Sequence, residues 1–233
     1  MEKRYLRLVH GIRAYFLKSG MKKAVIGLSG GIDSALSLRL TADALRSKNV
    51  TALLMPQKGL TKKSNILDAI DLCKILNVKY HIIPINQYLT PMKQLPWVQN
   101  KAAVINTKAR IRAVILYNYA NSHKALVIGT SNRTEMALGY FTKYGDGAVD
   151  IEVIGSLYKT QVRNMARYLR LPENFLTKEP SAELFPGHTD ESEIGETYKT
   201  IDAMLQGRRK KSDRILKIIA ANRHKTKPVP TIK

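Results

Sequence analysis

Apolar and polar positions along this chain switch repeatedly between two periods. Residues 3–18 set Tyr5, Leu6, Val9, Ile12 and Phe16 at helical spacing, which predicts an amphipathic helix. Residues 24–28 are a short continuous apolar run that breaks at Ser29-Gly30-Gly31. Periodic apolar positions resume at Ile32, Ala35, Leu36 and Leu40. This is the pattern of a buried strand, a tight glycine turn and a helix from about 31 to 46. Further strands are predicted at 50–55, 80–85 and 124–129, separated by helices near 61–76 and 100–121. Pro84 withholds a backbone donor, so the third strand is expected to be an edge strand or an imperfect one. Successive strand–helix units predict a parallel sheet with right-handed crossovers. Ligands of such sheets bind beyond the carboxyl ends of the strands, which directs attention to the loops after strands one and four.

The loop after strand one is built to hold phosphate oxygens. Glycines let the backbone approach a ligand closely, and the following helix presents unpaired N–H groups at the positive end of its dipole. Ser29 and Ser34 add hydroxyls. The lysine of the common Gly-x4-Gly-Lys-Ser/Thr loop is missing, so this is another kind of nucleotide loop. Asp33 would repel a phosphate unless a divalent cation lay between them, and hard cations such as Mg2+ take both kinds of oxygen. The full string from strand through SGGxDS to helix resembles the signature loop of the ATP pyrophosphatases.

The loop after strand four, Gly129-Thr130-Ser131-Asn132-Arg133-Thr134-Glu135, also sets glycine and hydroxyl residues ahead of a helix. Glu135 by itself reads as a capping-box partner of Ser131 or Asn132. Converging with Asp33 on one phosphate, it would complete a metal site. Residues 138–150 carry glycines, aromatics, a lysine and acids in no regular period, which marks a functional loop. A further helix opens at Tyr158-Lys159-Thr160, and 179–195 reads as a long ligand-gated loop leading into a helix.

Composition sets limits. A chain of 233 residues with 44% apolar and 24% charged residues is ordinary for a globular protein, and no apolar run reaches membrane-spanning length. The N-terminus lacks the apolar core of a signal peptide, so the expected compartment is the cytoplasm. Cys73, the single cysteine, lies among Ile66, Ala69 and Ile70 at helical spacing and is expected in the core. The net charge of +21 calls for a polyanionic partner. Residues 206–233 alone hold ten Lys/Arg against one acid, Asp213, and predict a basic amphipathic helix around Ile215, Leu216, Ile218 and Ile219.

Seven strings then occur in order: SGGIDS, NTKARIR, GTSNRTE, GYFTKYGDGAVD, LYKTQV, EPSAELFPGHTDESEIG and HKTKPVP. In order and spacing they resemble the NAD synthetases, over about residues 20–230. The resemblance implies one α/β domain over 1–233, with a Rossmann-like, doubly wound parallel sheet of about five strands flanked by helices. It implies a homodimer and a two-step ligase reaction, the last step of NAD biosynthesis. ATP adenylates the nicotinate carboxylate of deamido-NAD with loss of pyrophosphate, and ammonia then displaces AMP.

Residue roles follow from the same resemblance. Gly27, Leu28, Ser29, Gly30, Gly31, Ile32, Asp33 and Ser34 would hold the ATP phosphates, and Thr130, Lys159 and Ser181 would also contact ATP. Asp33, Glu135 and Ser181 would bind Mg2+. Arg110, Lys143, Asp150, His224 and Lys225 would contact deamido-NAD. Asp146 would stand near the nicotinate and the incoming ammonia. Asp146, Lys159 and Asp33 are the expected catalytic residues. Ala148 stands where the family often has glycine, and Thr107 where an apolar residue is common. No part of the chain reads as an amidase domain, so free ammonia is the expected nitrogen donor. Two other readings fit the basic charge: a tRNA-modifying ATP pyrophosphatase and a non-catalytic nucleic-acid-binding protein on the same fold. The absence of paired cysteines and of a fused RNA-binding module counts against the first. Retention of both carboxylates and Lys159 counts against the second. Nucleic acid is therefore not the expected partner. The helix at 100–121 is the candidate dimer surface.

Overall fold

The computed structural model describes residues 1–181 and 189–232. Five strands form one parallel sheet in the order β3-β2-β1-β4-β5. They are β1 (Lys23–Gly27), β2 (Val50–Leu54), β3 (Lys79–Ile82), β4 (Ala125–Gly129) and β5 (Ile151–Glu152). The helices are α1 (Glu2–Ser19), α2 (Ile32–Leu45), α3 (Lys63–Ile75), α4 (Asn86–Leu89), α5 (Lys101–His123), α6 (Arg133–Leu138), α7 (Lys159–Tyr168), α8 (Glu173–Thr177), α9 (Asp190–Ile194), α10 (Tyr198–Leu205) and α11 (Asp213–Asn222). This is the doubly wound α/β architecture expected, and the first four strands and the long helices lie within a few residues of their predicted positions.

The sheet separates two apolar layers because side chains alternate along each strand. Ala24, Ile26, Ala52, Leu54 and Ile128 pack with residues of α1, α2, α3 and α7. Val25, Leu53 and Val127 point the other way, onto a layer that includes Ile85, just before α4, and Ala120 of α5. Because β1 is buried on both faces, its sequence is a continuous apolar run rather than an alternation. β3 lies at the sheet edge and ends two residues before Pro84, as that proline requires. Cys73 is fully buried in the first layer, and burial pushes its thiol up to about 12. β5 has only two residues, Ile151 and Glu152, and Asp150 precedes them, so no apolar run gave a strand signal.

A third, smaller cluster joins Leu138, Ile194, Tyr198, Ile201, Met204 and Ile215. It docks α6, α9, α10 and α11 together beyond the sheet's carboxyl edge. The basic helix predicted near the C-terminus is α11. Its apolar face packs in this cluster, and Arg208, Arg209 and Lys210 just before it are exposed. The chain leaves β3 and returns through α5 to the other side of β1, so the connections after β1 and β4 diverge. The crevice between these strands is the topological switch point of the sheet.

At the mouth of that crevice Gly30 has φ +85°, and a Cβ there would lie 2.3 Å from the Asn65 carbonyl oxygen of α3. Gly31 has φ −90°, and its Cβ would meet only Ser29 Oγ at 3.4 Å. Gly30→Ala is therefore expected to cost about 1–3 kcal/mol. Gly31→Ala should cost clearly less, and thermal melting of the two variants side by side measures the difference.

Candidate active site

The phosphate loop is held by its own hydroxyls. Ser34 Oγ donates to the Gly31 carbonyl at 3.0 Å and lies 3.1 Å from Ser29 Oγ. Ser29 Oγ accepts the Gly31 N–H at 3.2 Å, and Ser34 Oγ accepts the Ser29 N–H at 3.3 Å. This refines the sequence reading: the two hydroxyls shape the loop and are engaged within it. No side chain caps α2 at Gly31, so the first amides of a 14-residue helix are left for an anion.

Asp33 in the first turn of α2 and Glu135 in the first turn of α6 come together from the two sides of the crevice, as expected. A lysine joins them. Lys159 Nζ lies 2.5 Å from Asp33 Oδ2 and 3.2 Å from Glu135 Oε1, with its side chain only 3% exposed. Asn132 ties the pair further. Its Nδ2 donates to Asp33 Oδ1 at 2.9 Å, and its Oδ1 accepts the Glu135 N–H at 3.0 Å. Glu135 Oε2 in turn accepts the Asn132 N–H at 3.2 Å, which completes a capping box. The capping role and the converging role of Glu135 thus coexist, one carboxylate oxygen serving each.

Lys159 opens α7, where the helix dipole disfavours a cation, so its place depends on the carboxylates. Burial alone would lower its pKa. Asp33 and then Glu135 outweigh burial and hold the ammonium above its ordinary value. One ammonium shared by two carboxylates leaves Glu135 short of compensation. Burial pushes its carboxyl up to about 8, with Lys159 opposing and Asp33 adding to the rise. A cation already fits between these hard oxygen donors, so the pair suits Mg2+. Among the described residues no group of three or more His, Cys, Asp or Glu side chains is arranged to hold a metal. Ser181 is exposed, next to 182–188, and its expected ATP and metal contacts rest on the family pattern alone. Residues 182–188 of the EPSAELFPGHTDESEIG string lie outside the described residues.

Residues expected to meet the second substrate are gathered beside the crevice. Arg110 of α5 donates to the Lys143 carbonyl at 3.3 Å, and Lys143 Nζ donates to the His224 carbonyl at 3.1 Å. Lys225 Nζ donates to the carbonyls of Gly139 and Phe141 at 3.0 and 2.9 Å. Asp150 accepts the Val127 N–H at 2.7 Å and the Tyr117 hydroxyl at 3.2 Å, so its carboxylate helps to fasten the loop to β4 and α5. Asp146 Oδ1 accepts the Thr142 N–H at 2.9 Å. Asp146 is open to solvent yet closely surrounded by protein, and that desolvation raises its carboxyl above the usual range. Thr130 is half-buried at the end of β4.

Sequence reasoning missed Asp202. This buried residue of α10 accepts Thr134 Oγ1 at 2.5 Å, Thr160 N–H at 2.8 Å and Thr160 Oγ1 at 2.7 Å. Thr134 Oγ1 also accepts the Lys159 N–H at 3.0 Å. Asp202 therefore caps α7 from a distance and fixes α6 to it. The available signal was an acid inside the apolar stripe Tyr198, Ile201 and Leu205.

A doubly wound sheet with this glycine loop and a carboxylate–lysine cluster at its switch point defines a nucleotide-binding protein that resembles the ATP pyrophosphatases. The comparisons give its family. The chain belongs to the NAD synthase family, whose model matches residues 4–232. These are ligases that form a carbon–nitrogen bond. A protein of Archaeoglobus fulgidus named NH(3)-dependent NAD(+) synthetase is 42% identical over 236 residues, covering 98% of this chain and 96% of its own length. A protein of the same name from Methanococcoides burtonii is 48% identical over 191 residues, covering 81% of this chain and 72% of its own. Two solved structures align over the entire chain. An NMN synthetase from Francisella tularensis has TM-score 0.90, 36% identity and 98% of its chain covered. An NH3-dependent NAD synthetase from Campylobacter jejuni in complex with the nitrate ion has TM-score 0.81, 37% identity and 99% covered.

Two outcomes follow from the site. Asp202→Ala strips three donors of their acceptor, and a loss of about 3 kcal/mol or more is expected in a urea titration. The second concerns pH. Glu135 has its carboxyl near 4.5 ordinarily and about 8 in the fold. Between those values the folded state keeps a proton that the unfolded chain has released, so this group's contribution to stability falls as pH rises through the window. Glu135→Gln should flatten the dependence of melting temperature on pH, gaining most on the parent near pH 8.

Proposed function

We propose that this protein catalyses the ATP-dependent amidation of deamido-NAD to NAD with free ammonia. The observation that carries the reading is the buried Lys159 ammonium between Asp33 and Glu135, at the end of a phosphate loop in a chain of the NAD synthase family. In the first step the nicotinate carboxylate attacks the α-phosphorus of ATP. The bond to the bridging oxygen breaks, and pyrophosphate leaves. Two anions meet in this step. Lys159 and the open amides of α2 offset the charge and stabilise the crowded phosphorus centre. Asp33 and Glu135 would hold Mg2+, which when bound supplies further charge neutralisation on the phosphates. Thr130 and Ser181 complete the ATP contacts in this reading. Arg110, Lys143, Asp150, His224 and Lys225 orient the dinucleotide. In the second step ammonia enters near Asp146 and attacks the adenylated carboxyl, and AMP departs.

The reading includes a homodimer. α5 carries exposed apolar side chains, Val104 and Val114, that a second copy would cover. It also includes a cytoplasmic setting. No helix among the described residues is long and apolar enough to cross a membrane. The likeness to the Francisella tularensis structure supports a second substrate reading, in which the nicotinate mononucleotide is amidated by the same chemistry.

Incubation with ATP, Mg2+, ammonium and either deamido-NAD or nicotinate mononucleotide, followed by chromatography, separates the two. Equal amounts of NAD, AMP and pyrophosphate are expected from deamido-NAD. Lys159→Met is expected to lower kcat by about 100-fold or more, the scale of losing one charge-stabilising group. Efficient turnover of the mononucleotide alone moves the assignment to the second reading, and no amide from either substrate rejects both.

A further inference from the structure

Glu152 is not accounted for by the family motifs or by the phosphate loop. It ends β5 and pairs in register with Gly129 at the end of β4. Its carboxylate fills the space that a side chain at position 129 would need: a Cβ on Gly129 would lie 2.3 Å from Glu152 Oε2. That oxygen accepts the Ser131 N–H at 2.9 Å. Ser131 adjoins Asn132, which holds Asp33, so the Glu152 carboxylate is fixed one residue away from the carboxylate–lysine cluster. It faces a cavity of about 370 Å³ lined also by Ser131, Phe141, Asp150 and Lys225.

The other charged groups facing this cavity are committed. Both oxygens of Asp150 accept protein donors, and Lys225 is bonded to two carbonyls. Asp146 lies outside this lining, and its Oδ1 accepts the Thr142 N–H at 2.9 Å. Burial pushes the Glu152 carboxyl up to about 7, the Ser131 donors oppose the rise, and the charge of Asp146 adds to it. A group poised near the working pH both accepts and releases protons efficiently. The amidation needs such a group, because ammonia in neutral water is mostly ammonium, which has no free electron pair.

We propose that Glu152 is the proton acceptor of the amidation step, its carboxylate taking one proton from ammonium held in the cavity beside Phe141 and Lys225. The inference rests on the ammonia-dependent amidation proposed above. The N–H electron pair stays on nitrogen and the proton passes to Glu152. The nitrogen then bonds to the acyl carbon as the carbon–oxygen bond to AMP breaks, with that pair going to the phosphate oxygen. The second proton shed by nitrogen goes to solvent, and Glu152 is deprotonated before the next turnover.

Glu152→Gln keeps an acceptor for Ser131 and removes the base. At pH 7 its kcat/KM for ammonium is expected to fall about 100-fold. The deficit should shrink as pH rises, and hydroxylamine, which is mostly unprotonated at pH 7, should react nearly as fast as with the parent. Equal losses with the two nucleophiles, or no loss with ammonium, overturn the proposal. Deamido-NAD-dependent ATP–pyrophosphate exchange without ammonium separates the layers. Exchange absent in the parent protein refutes the functional reading itself. Exchange present in the parent but abolished in Glu152→Gln puts Glu152 in the first step and overturns the inference. If the glutamine variant does not fold, Glu152→Asp, which withdraws the carboxylate by one methylene, decides the same comparison. Ammonium impaired more than hydroxylamine supports the role, and equal impairment overturns it.

Discussion

Everything at the carboxyl edge of the sheet is organised by one buried ammonium facing two carboxylates. Lys159 comes from α7, Asp33 from α2 and Glu135 from α6, so three helices that start at this edge are locked by charge. The cluster is short of one positive charge. A buried charge imbalance is costly to leave and favours the arrival of another cation. Burial raises the Glu135 carboxyl and the charge of Asp33 adds to the rise, so without that cation the fold retains a proton instead. In the proposed function, a nucleotide arriving with its counter-cation would bring the missing charge and free Lys159 for the phosphates.

The surrounding framework keeps this imbalance from relaxing. Asp202 holds the starts of α6 and α7 through Thr134 and Thr160, and Asn132 holds Asp33 against the start of α6. The Lys159 ammonium also lies 4.9 Å from the centre of the Tyr198 ring, whose hydroxyl donates to Asp190 at 3.0 Å. The third apolar cluster, with Tyr198 in it, anchors these elements without joining the main core. Rigid placement by such a shell is what turns charged groups into a site that is ready before its ligand arrives.

The sheet and the phosphate loop were legible in the sequence because their signals are local. A continuous apolar run, a glycine turn and a helical period lie within twenty-odd residues. Pro84 marked the third strand as an edge strand or an imperfect one, and β3 lies at the edge. Asp33 and Glu135 were legible as a pair only because the parallel topology brings the loops after β1 and β4 together. What connects them was not. The Lys159–Asp33 contact spans 126 positions and the Thr134–Asp202 contact 68, and no local period reports either. Glu152 escaped notice for a related reason: its carboxylate is defined by the glycine opposite it in the sheet, not by its neighbours in the chain. In the basic C-terminal segment, Arg208, Arg209 and Lys210 are exposed. α11 turns its apolar side inward, and Arg214 donates to the Glu193 carbonyl at 2.9 Å.

The most direct measurement is a crystal structure with Mn2+ and a non-cleavable ATP analogue, using anomalous scattering to locate the metal. The predicted result is a manganese peak between Asp33 and Glu135, with the phosphates on the start of α2 and Lys159 Nζ moved from Asp33 onto a phosphate oxygen. A metal bound elsewhere, with Lys159 still bridging the two carboxylates while the nucleotide is bound, would contradict the role given to this cluster.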